Sequence, residues 1–233
     1  MGRGGSGTVF FGGCNLLCRF CQNWETSRGL DCEEADAPRL ARIMLGLQAR
    51  GCHNLNLVTP SHVVPQILSA LRLAARKGFH LPLVYNTGGY DSMETLRLLD
   101  GVVDIYMPDL KTASAEWAGR LFHAPDYWDR AREAAREMRR QVGDLVIDAD
   151  GVARRGLLVR HLVMPGGVSA TEEVMRFVAE ELSPRTYVNV MAQYRPVGEA
   201  HGIPPVDRAP TREECRRAVA AARAAGLTRL DRG

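Results

Sequence analysis

Lysine is almost absent from this chain. Of its 30 basic residues only Lys77 and Lys111 are lysines, and all others are arginines. A background that accepts guanidinium nearly everywhere makes each surviving ammonium informative. The compact lysine head and the planar arginine fork are not interchangeable in a packed site. Lys77 falls at an expected helix C-terminus, where any cation is favourable. Lys111 follows an apolar run, in Asp109-Leu110-Lys111, and is the more telling of the two. Long hydrophobic runs are missing as well. No stretch of about 18 apolar residues occurs, which excludes a helical membrane span, and there is no signal-peptide hydrophobic region. Charge of one sign never accumulates. The net charge is +3, with arginines spread over the expected helices, too mild and diffuse for a nucleic-acid-binding surface. Cysteine is scarce, 6 in 233 residues, and lacks the paired spacing of a disulfide framework. Such usage fits a reducing, cytoplasmic setting.

The cysteine that is present is concentrated. Cys14, Cys18 and Cys21 lie in Gly13-Cys14-Asn15-Leu16-Leu17-Cys18-Arg19-Phe20-Cys21, a C-x3-C-x2-C spacing. Thiolates this close suit zinc or an iron–sulfur cluster. Structural zinc wants four ligands, usually as two separated pairs, and no second pair follows; neither Cys32 nor His53 has a suitable spacing. Ferredoxin-type carriers use four cysteines in C-x2-C-x2-C or C-x4-C-x2-C runs, which this triplet does not match. Three thiolates can hold three irons of a four-iron cluster and leave the fourth open to a ligand. The spacing favours such an open-site cluster. The alternative is a non-catalytic iron–sulfur electron-transfer protein or a zinc-binding module. Cys32, Cys52 and Cys215 stand alone and read as buried free thiols.

The length suits one domain spanning 1–233. Residues 1–6 read as a flexible glycine-rich arm, and 197–233 as a C-terminal extension carrying a terminal helix. Gly2-Arg3-Gly4-Gly5-Ser6-Gly7 matches G-x-G-x-x-G, but it precedes a strand and does not open a helix, so it is no dinucleotide fingerprint. Strands are expected at 8–11, 53–58, 81–85, 103–107, 157–163 and 186–191. Helical patterns alternate with them, one opening at Asp36-Ala37-Pro38 and another covering 126–142. Ser61 is a candidate helix cap. Capping-box forms stand at Asp91–Glu94, Ser169–Glu172 and Thr211–Glu214. The Asp150-Gly151 turn predicts a small hairpin before the fifth strand. Repeated strand–helix alternation implies an α/β fold with a mostly parallel sheet, either doubly wound or curved into a partial barrel. In both, reactive groups gather beyond the strand C-terminal ends.

The cysteine spacing, with an aromatic residue before the third cysteine, resembles the signature of the radical S-adenosylmethionine (SAM) enzymes. The words Gly7–Leu16 and Cys21-Gln22-Asn23 are most similar to the branch of the pyruvate formate-lyase activating enzymes. That resemblance implies a partial (βα)6 TIM-type barrel and a [4Fe-4S] cluster held by Cys14, Cys18 and Cys21. It implies SAM on the fourth iron through its amino and carboxylate groups. It also implies an oxidoreductase chemistry, the reductive cleavage of SAM to methionine and a 5′-deoxyadenosyl radical that takes hydrogen from a substrate. A one-electron donor such as flavodoxin or ferredoxin is implied as partner. A glycyl-radical enzyme is one candidate substrate, and a small molecule is another.

The same resemblance distributes cofactor contacts over the strand ends. Phe20, on the cysteine loop, is placed to pack near the adenine. After strand 2, Thr59-Pro60-Ser61 stands where many relatives carry Gly-Gly-Glu against the SAM amino group; the hydroxyls of Thr59 and Ser61 are candidate substitutes without the charge. After strand 3, Asn86-Thr87-Gly88-Gly89 is similar to the relatives' Asp-Thr-Asn-Gly, with Asn86 facing the ligand and the glycines allowing close approach. Asp109-Leu110-Lys111 after strand 4 matches the relatives' word, an ammonium held by a carboxylate beside SAM. Arg160 on strand 5 corresponds to an arginine facing SAM, and an inward arginine needs an anionic partner. His161 beside it reads as a satisfied core histidine. After strand 6, Gln193 and Tyr194 are candidate ligand-facing residues.

Overall fold

A computed structural model describes residues 4–231. The elements in chain order are β1 (Gly7–Phe10), α1 (Trp24–Ser27), α2 (Ala37–Ala49), β2 (Leu55–Val58), α3 (Val64–Ala75), β3 (Leu83–Thr87), α4 (Met93–Leu98), β4 (Ile105–Pro108), α5 (Ala115–Phe122), α6 (Tyr127–Val142), β5 (Val146–Ile147), β6 (Ala153–Leu162), α7 (Thr171–Phe177), β7 (Tyr187–Met191), α8 (Arg212–Ala224) and β8 (Arg229–Asp231). The sheet order is β1-β2-β3-β4-β6-β7-β8, and every pair along that path is parallel. β5 pairs antiparallel with β6, the expected hairpin. The fold is α/β, a partial barrel with β1 and β8 at its two edges. The six expected strands are all present, and β8 adds a seventh to the parallel path.

Local chemistry explains the element starts. Asp36 accepts from the Arg39 N–H and Pro38 occupies the first turn, so α2 begins there. Thr211 and Glu214 form a reciprocal capping box on α8. Two expected caps are corrected. Ser92, and not Asp91, caps α4, accepting from the Thr95 N–H. Ser169 does not cap α7; its hydroxyl is turned inward, accepting from the Met164 N–H and donating to the Leu162 carbonyl. A third expectation also changes: α3 starts at Val64 behind Val63, leaving Ser61 free of capping duty.

Strand alternation sets the two faces of the sheet. Leu55, Leu57 and Leu83 point outward and pack with Leu40, Met44 and Ile67 of α2 and α3. Val159, Val188 and Val190 join the larger core formed with α4–α8. The residues between them therefore face the concave side, among them Asn56, Asn86, Arg160 and Asn189. The base of that side is filled by Val84, Ile105 and Leu145, with Met107, Leu158 and Tyr187 packed against them.

The expected arm is pinned from Gly4 onward: the Gly4 N–H donates to His53 Nε2 at 2.9 Å, and the Ser6 hydroxyl to Asn54 at 2.6 Å. Residues 1–3 lie outside the described residues. In the C-terminal stretch, α8 lies against α7, and β8 extends the sheet. Among the described residues, no helix is long and apolar enough to cross a membrane.

Candidate functional site

The three cysteines occupy the loop between β1 and α1, beyond the C-terminal end of β1. The loop is held at both ends by backbone hydrogen bonds, Gly13 N–H to Thr26 O at 2.9 Å and Arg19 N–H to Leu121 O at 2.8 Å. Gly13 has φ +86°, and Leu17 adopts a left-handed φ of 46° between the first two cysteines. Leu16 and Phe20 are buried and anchor the loop. Phe20 packs edge-on against Phe122 and Tyr194, with centroids 6.4 and 5.9 Å away. Cys18 is buried, while Cys14 and Cys21 are half-buried. Burial pushes the Cys18 thiol up to about 12; Lys111 opposes this and the neighbouring Cys14 and Cys21 add to it. The three thiols and the ammonium therefore sense one another.

Among the described residues, no group of three His, Cys, Asp or Glu side chains closes around a single point as the ligands of one ion would. The ligands of a cluster bind separate irons, so the fit is judged on donors. Three sulfurs on one fixed loop, one of them in a dry pocket facing a cation, suit an iron–sulfur cube. Metal binding would strip the Cys18 proton that burial retains.

Opposite the loop lies a half-buried ion triad. Lys111 Nζ is 2.6 Å from Asp109 Oδ2, and Arg160 Nε and Nη2 are 2.8 and 2.7 Å from Asp109 Oδ1. Burial alone would raise the Asp109 carboxyl; Arg160 and Lys111 outweigh it and hold the group below its ordinary range. Burial alone would likewise depress Lys111, yet Asp109 keeps its ammonium firmly protonated. The triad carries one negative and two positive charges, so it presents one uncompensated cation to whatever binds beside it. Tyr127 fixes the geometry. Its oxygen accepts from the Lys111 N–H at 3.1 Å, and its hydrogen is shared by the Asp109 and Gly88 carbonyls at 2.7 and 2.9 Å.

The structure assigns some expected residues to other work. Gly88 and Gly89 do not open space for a ligand. A Cβ on Gly88 would lie 2.8 Å from Leu16 of the cysteine loop, and one on Gly89 2.4 Å from the Asp109 carbonyl. These glycines let the loop and the strand-4 word meet. Tyr194 is corrected from a ligand-facing residue to a packing residue: it is buried, and its hydroxyl donates to the Val206 carbonyl at 2.6 Å. Gln193 is exposed beyond β7. Asn86 is buried at the end of β3, its carbonyl accepting the Thr59 N–H at 2.9 Å. Thr59 adopts φ 57°, a strained conformation for a β-branched residue. Ser61 donates to Asp91 at 2.6 Å. Cys32, expected buried, is exposed against Gly12.

His161 is the core residue expected. It is fully buried; its Nδ1–H donates to the Leu110 carbonyl at 2.7 Å, and Nε2 accepts from Thr171 at 2.9 Å. Burial lowers it to about 4. Two residues escaped the sequence reading, Tyr127 and Asp91. Each acts through tertiary partners; Asp91 was read only as a helix cap, and Tyr127 belongs to no recognisable word.

The model of the radical SAM superfamily matches residues 8–178. The chain belongs to the radical SAM superfamily. Members of this superfamily bind a [4Fe-4S] cluster and SAM. An uncharacterized protein of Methanocaldococcus jannaschii is 32% identical over 222 residues, covering 92% of this chain and 61% of that protein. Among solved structures, HydG, a maturase of the [FeFe]-hydrogenase, has a TM-score of 0.63 at 16% identity over 97% of this chain and 51% of its own. Methylornithine synthase (PylB) has a TM-score of 0.63 at 15% identity, covering 97% of this chain and 63% of its own. Streptococcus suis SuiB, solved bound to its precursor peptide SuiA, has a TM-score of 0.62 at 16% identity over 97% of this chain and 48% of its own. At these identities the structures speak for the fold alone. The chain spans about half to two thirds of the length of these relatives.

Proposed function

We propose that this radical SAM protein is an enzyme that cleaves SAM reductively and directs the resulting radical at a substrate held on the concave face of the sheet. The observation that carries the reading is the placement of Cys14, Cys18 and Cys21 on one loop against the Asp109–Lys111–Arg160 triad. When bound, the reduced cluster and SAM supply an electron and a 5′-deoxyadenosyl radical, the hydrogen-abstracting chemistry that protein side chains lack.

The chain's own residues bind, orient and exclude water. Cys14, Cys18 and Cys21 hold the cluster, and Leu16 and Phe20 seal the loop against the core. The uncompensated charge of the triad receives an anionic group, the carboxylate of SAM or a ribose oxygen. Asn86 and Gln193 offer carboxamides to the cofactor's polar edges. Asn56 on β2 and Asn189 on β7 have buried side-chain oxygens without a hydrogen-bond partner among the described residues. Such an oxygen costs free energy unless a ligand or water meets it, which supports a polar molecule on this face. The Asp109-Leu110-Lys111 word supports the activating-enzyme branch, with a glycyl-radical protein as partner.

Anaerobic reconstitution tests the reading. The protein should bind about four irons and four sulfides. Adding SAM should change the cluster's spectrum, and dithionite should then yield 5′-deoxyadenosine and methionine. Cys14→Ala, Cys18→Ala and Cys21→Ala should each abolish the cluster, whereas Cys32→Ala should not. Intact SAM in a fully cluster-loaded preparation would sink the catalytic reading in favour of electron transfer. The branch assignment has its own readout, a glycyl-radical signal in a co-purifying protein after incubation with SAM and reductant.

A further inference from the structure

The partial barrel has two sheet edges, and they are protected unequally. β8 is three residues long, and two of them, Arg229 and Asp231, are charged. Arg229 donates to the Leu145 carbonyl at 2.7 Å and lies over the Tyr187 ring. Short, charged edges resist further pairing. β1 has none of these devices. Gly7-Thr8-Val9-Phe10 carries no charge and no proline, and its register with β2 runs without a bulge.

The ladder shows what β1 offers. The Gly7 and Phe11 N–H groups donate to the Asn54 and Val58 carbonyls at 3.0 and 3.1 Å. In a parallel pair alternate residues bond the same neighbour, so the peptide groups of Thr8 and Phe10 point away from β2. Among the described residues β1 pairs with β2 alone, which leaves those groups without a backbone partner. The side chains alternate too. Val9 and Phe11 pack outward with α2 and α3, so Thr8 and Phe10 stand on the concave face. Phe10 is 52% exposed, and Leu17, on the cysteine loop beyond it, is 42% exposed. The barrel is not shut beside this edge. A cavity of about 220 Å³ is lined by Gly5, His53 and Asn54 near β1 and by Tyr187 and Asp231 near β8.

We propose that an extended peptide segment of the substrate adds to the sheet along β1. Thr8 and Phe10 supply its main-chain hydrogen bonds, and Phe10 and Leu17 supply an apolar contact. Opposed residues of a sheet point to the same face. The residue paired with Phe10 therefore turns its side chain to the concave side, next to the cysteine loop. A single strand fits this edge better than a second copy of the chain. Two exposed side chains fall well short of the roughly 1,000 Å² that a stable interface between folded proteins buries. That the peptide is the substrate rests on the radical SAM reading above; that a strand adds to β1 does not.

Binding to the cluster-loaded protein, without SAM or reductant, tests the strand addition. The probe is a displayed pool of random decapeptides, panned on the parent and then made as free peptides. Thr8→Pro removes one outward N–H and no bond to β2, as proline at a sheet edge can. Phe10→Glu keeps the backbone and charges the apolar contact. Each variant should weaken the selected peptides tenfold or more. Two versions of one selected peptide, N-methylated at odd or at even residues, should differ tenfold or more, because only one edge of it meets β1. Failure to select any peptide, parent-like binding to either folded variant, or equal binding of the two methylated forms overturns the proposal. So does a parent dimer that Thr8→Pro dissolves, which would give the edge to a second copy. If Thr8→Pro fails to fold, as read by iron content and circular dichroism, Phe10→Glu and the methylated pair decide. A parent that binds peptide but leaves SAM intact sinks the functional reading, a separate outcome.

Discussion

Two aspartates at the same end of the sheet, Asp91 buried and Asp109 half-buried, are chemically opposite. Asp109 is gripped by two cations, and its carboxyl is held below the ordinary range with Arg160 and Lys111 outweighing burial. Asp91 is gripped by three hydroxyls, and burial outweighs them, raising its carboxyl. The residue type is constant, so the difference is set by what the neighbouring strands deliver. β4 and β6 bring guanidinium and ammonium; β2 and β3 bring Ser61, Tyr85 and Thr87.

The harshest test of that contrast removes each carboxylate in turn. Asp109→Ala strands two cations in a poorly hydrated site, and breaking a buried pair in this way costs about 3–5 kcal/mol. Asp91→Asn keeps an acceptor for two of the three hydroxyls and strands no charge, for about 1–3 kcal/mol. Urea unfolding of the cluster-free protein gives both numbers. Equal losses would mean that the cations at Asp109 are solvated after all.

Acid is a gentler probe and reads the signs. His161 is lowered from its ordinary 6.5 to about 4, so the unfolded chain takes its proton first as pH falls. Stability is complete above 6.5 and is lost as the pH falls toward 4, by about 3 kcal/mol. Asp109, held low, adds a further loss below its ordinary 3.8. Asp91, held high, has the opposite sign: its contribution is complete below 3.8 and is lost as pH rises through its folded-state value. Urea midpoints between pH 7 and 4 should therefore fall in the parent, fall less in His161→Asn, and fall more steeply in Asp91→Asn. An unchanged slope in His161→Asn would locate the acid sensitivity elsewhere.

On the cationic side, Lys111→Arg should keep fold and cluster but weaken SAM binding or cleavage about tenfold, about 1.4 kcal/mol. The wider guanidinium would have to fit beside Gly88, where even an added Cβ would lie 3.7 Å from the lysine Cε. Lys77→Arg, on an exposed helix end, should change stability by less than about 0.5 kcal/mol. Parent-like SAM cleavage in both variants would reduce Lys111 to an ordinary ion-pair residue.

Much of this was legible before the fold was. Apolar runs flanked by turn residues placed β1–β4, β6 and β7, because parallel strands bury both faces. The cysteine triplet and the Asp109-Leu110-Lys111 word are local, and Arg160 announced its need for a partner by standing inside an apolar strand. What was missed depends on tertiary contact. β8 reads Arg229-Leu230-Asp231, too polar to signal a strand, and exists through pairing with β7. α5 is one short amphipathic stretch between stronger signals. Asp91 and Ser169 sit where a helix cap belongs and spend their side chains inward. Tyr194 sits beside a strand end, as a ligand residue would, but Phe20 and Val206 claim it from elsewhere in the chain.

Apart from the Lys77 control, the smallest expected effect lies at Thr59. Its φ of 57° is a left-handed conformation that costs an L-residue about 1–2 kcal/mol, and β-branching adds to the strain. The conformation is held because the Thr59 N–H reaches the Asn86 carbonyl while the chain turns to bring Ser61 to Asp91. Glycine adopts the same turn freely but gains entropy in the unfolded chain. Thr59→Gly should therefore stabilise the protein by a net of about 0.5–1 kcal/mol, read as a higher urea midpoint at unchanged slope. It also removes the Thr59 hydroxyl. If the Thr59 hydroxyl contacts no cofactor, S-adenosylhomocysteine affinity of the cluster-loaded protein stays within about twofold. A stabilised variant with tenfold weaker binding would make the Thr59 hydroxyl a cofactor contact and set the strain at this turn to the service of the site.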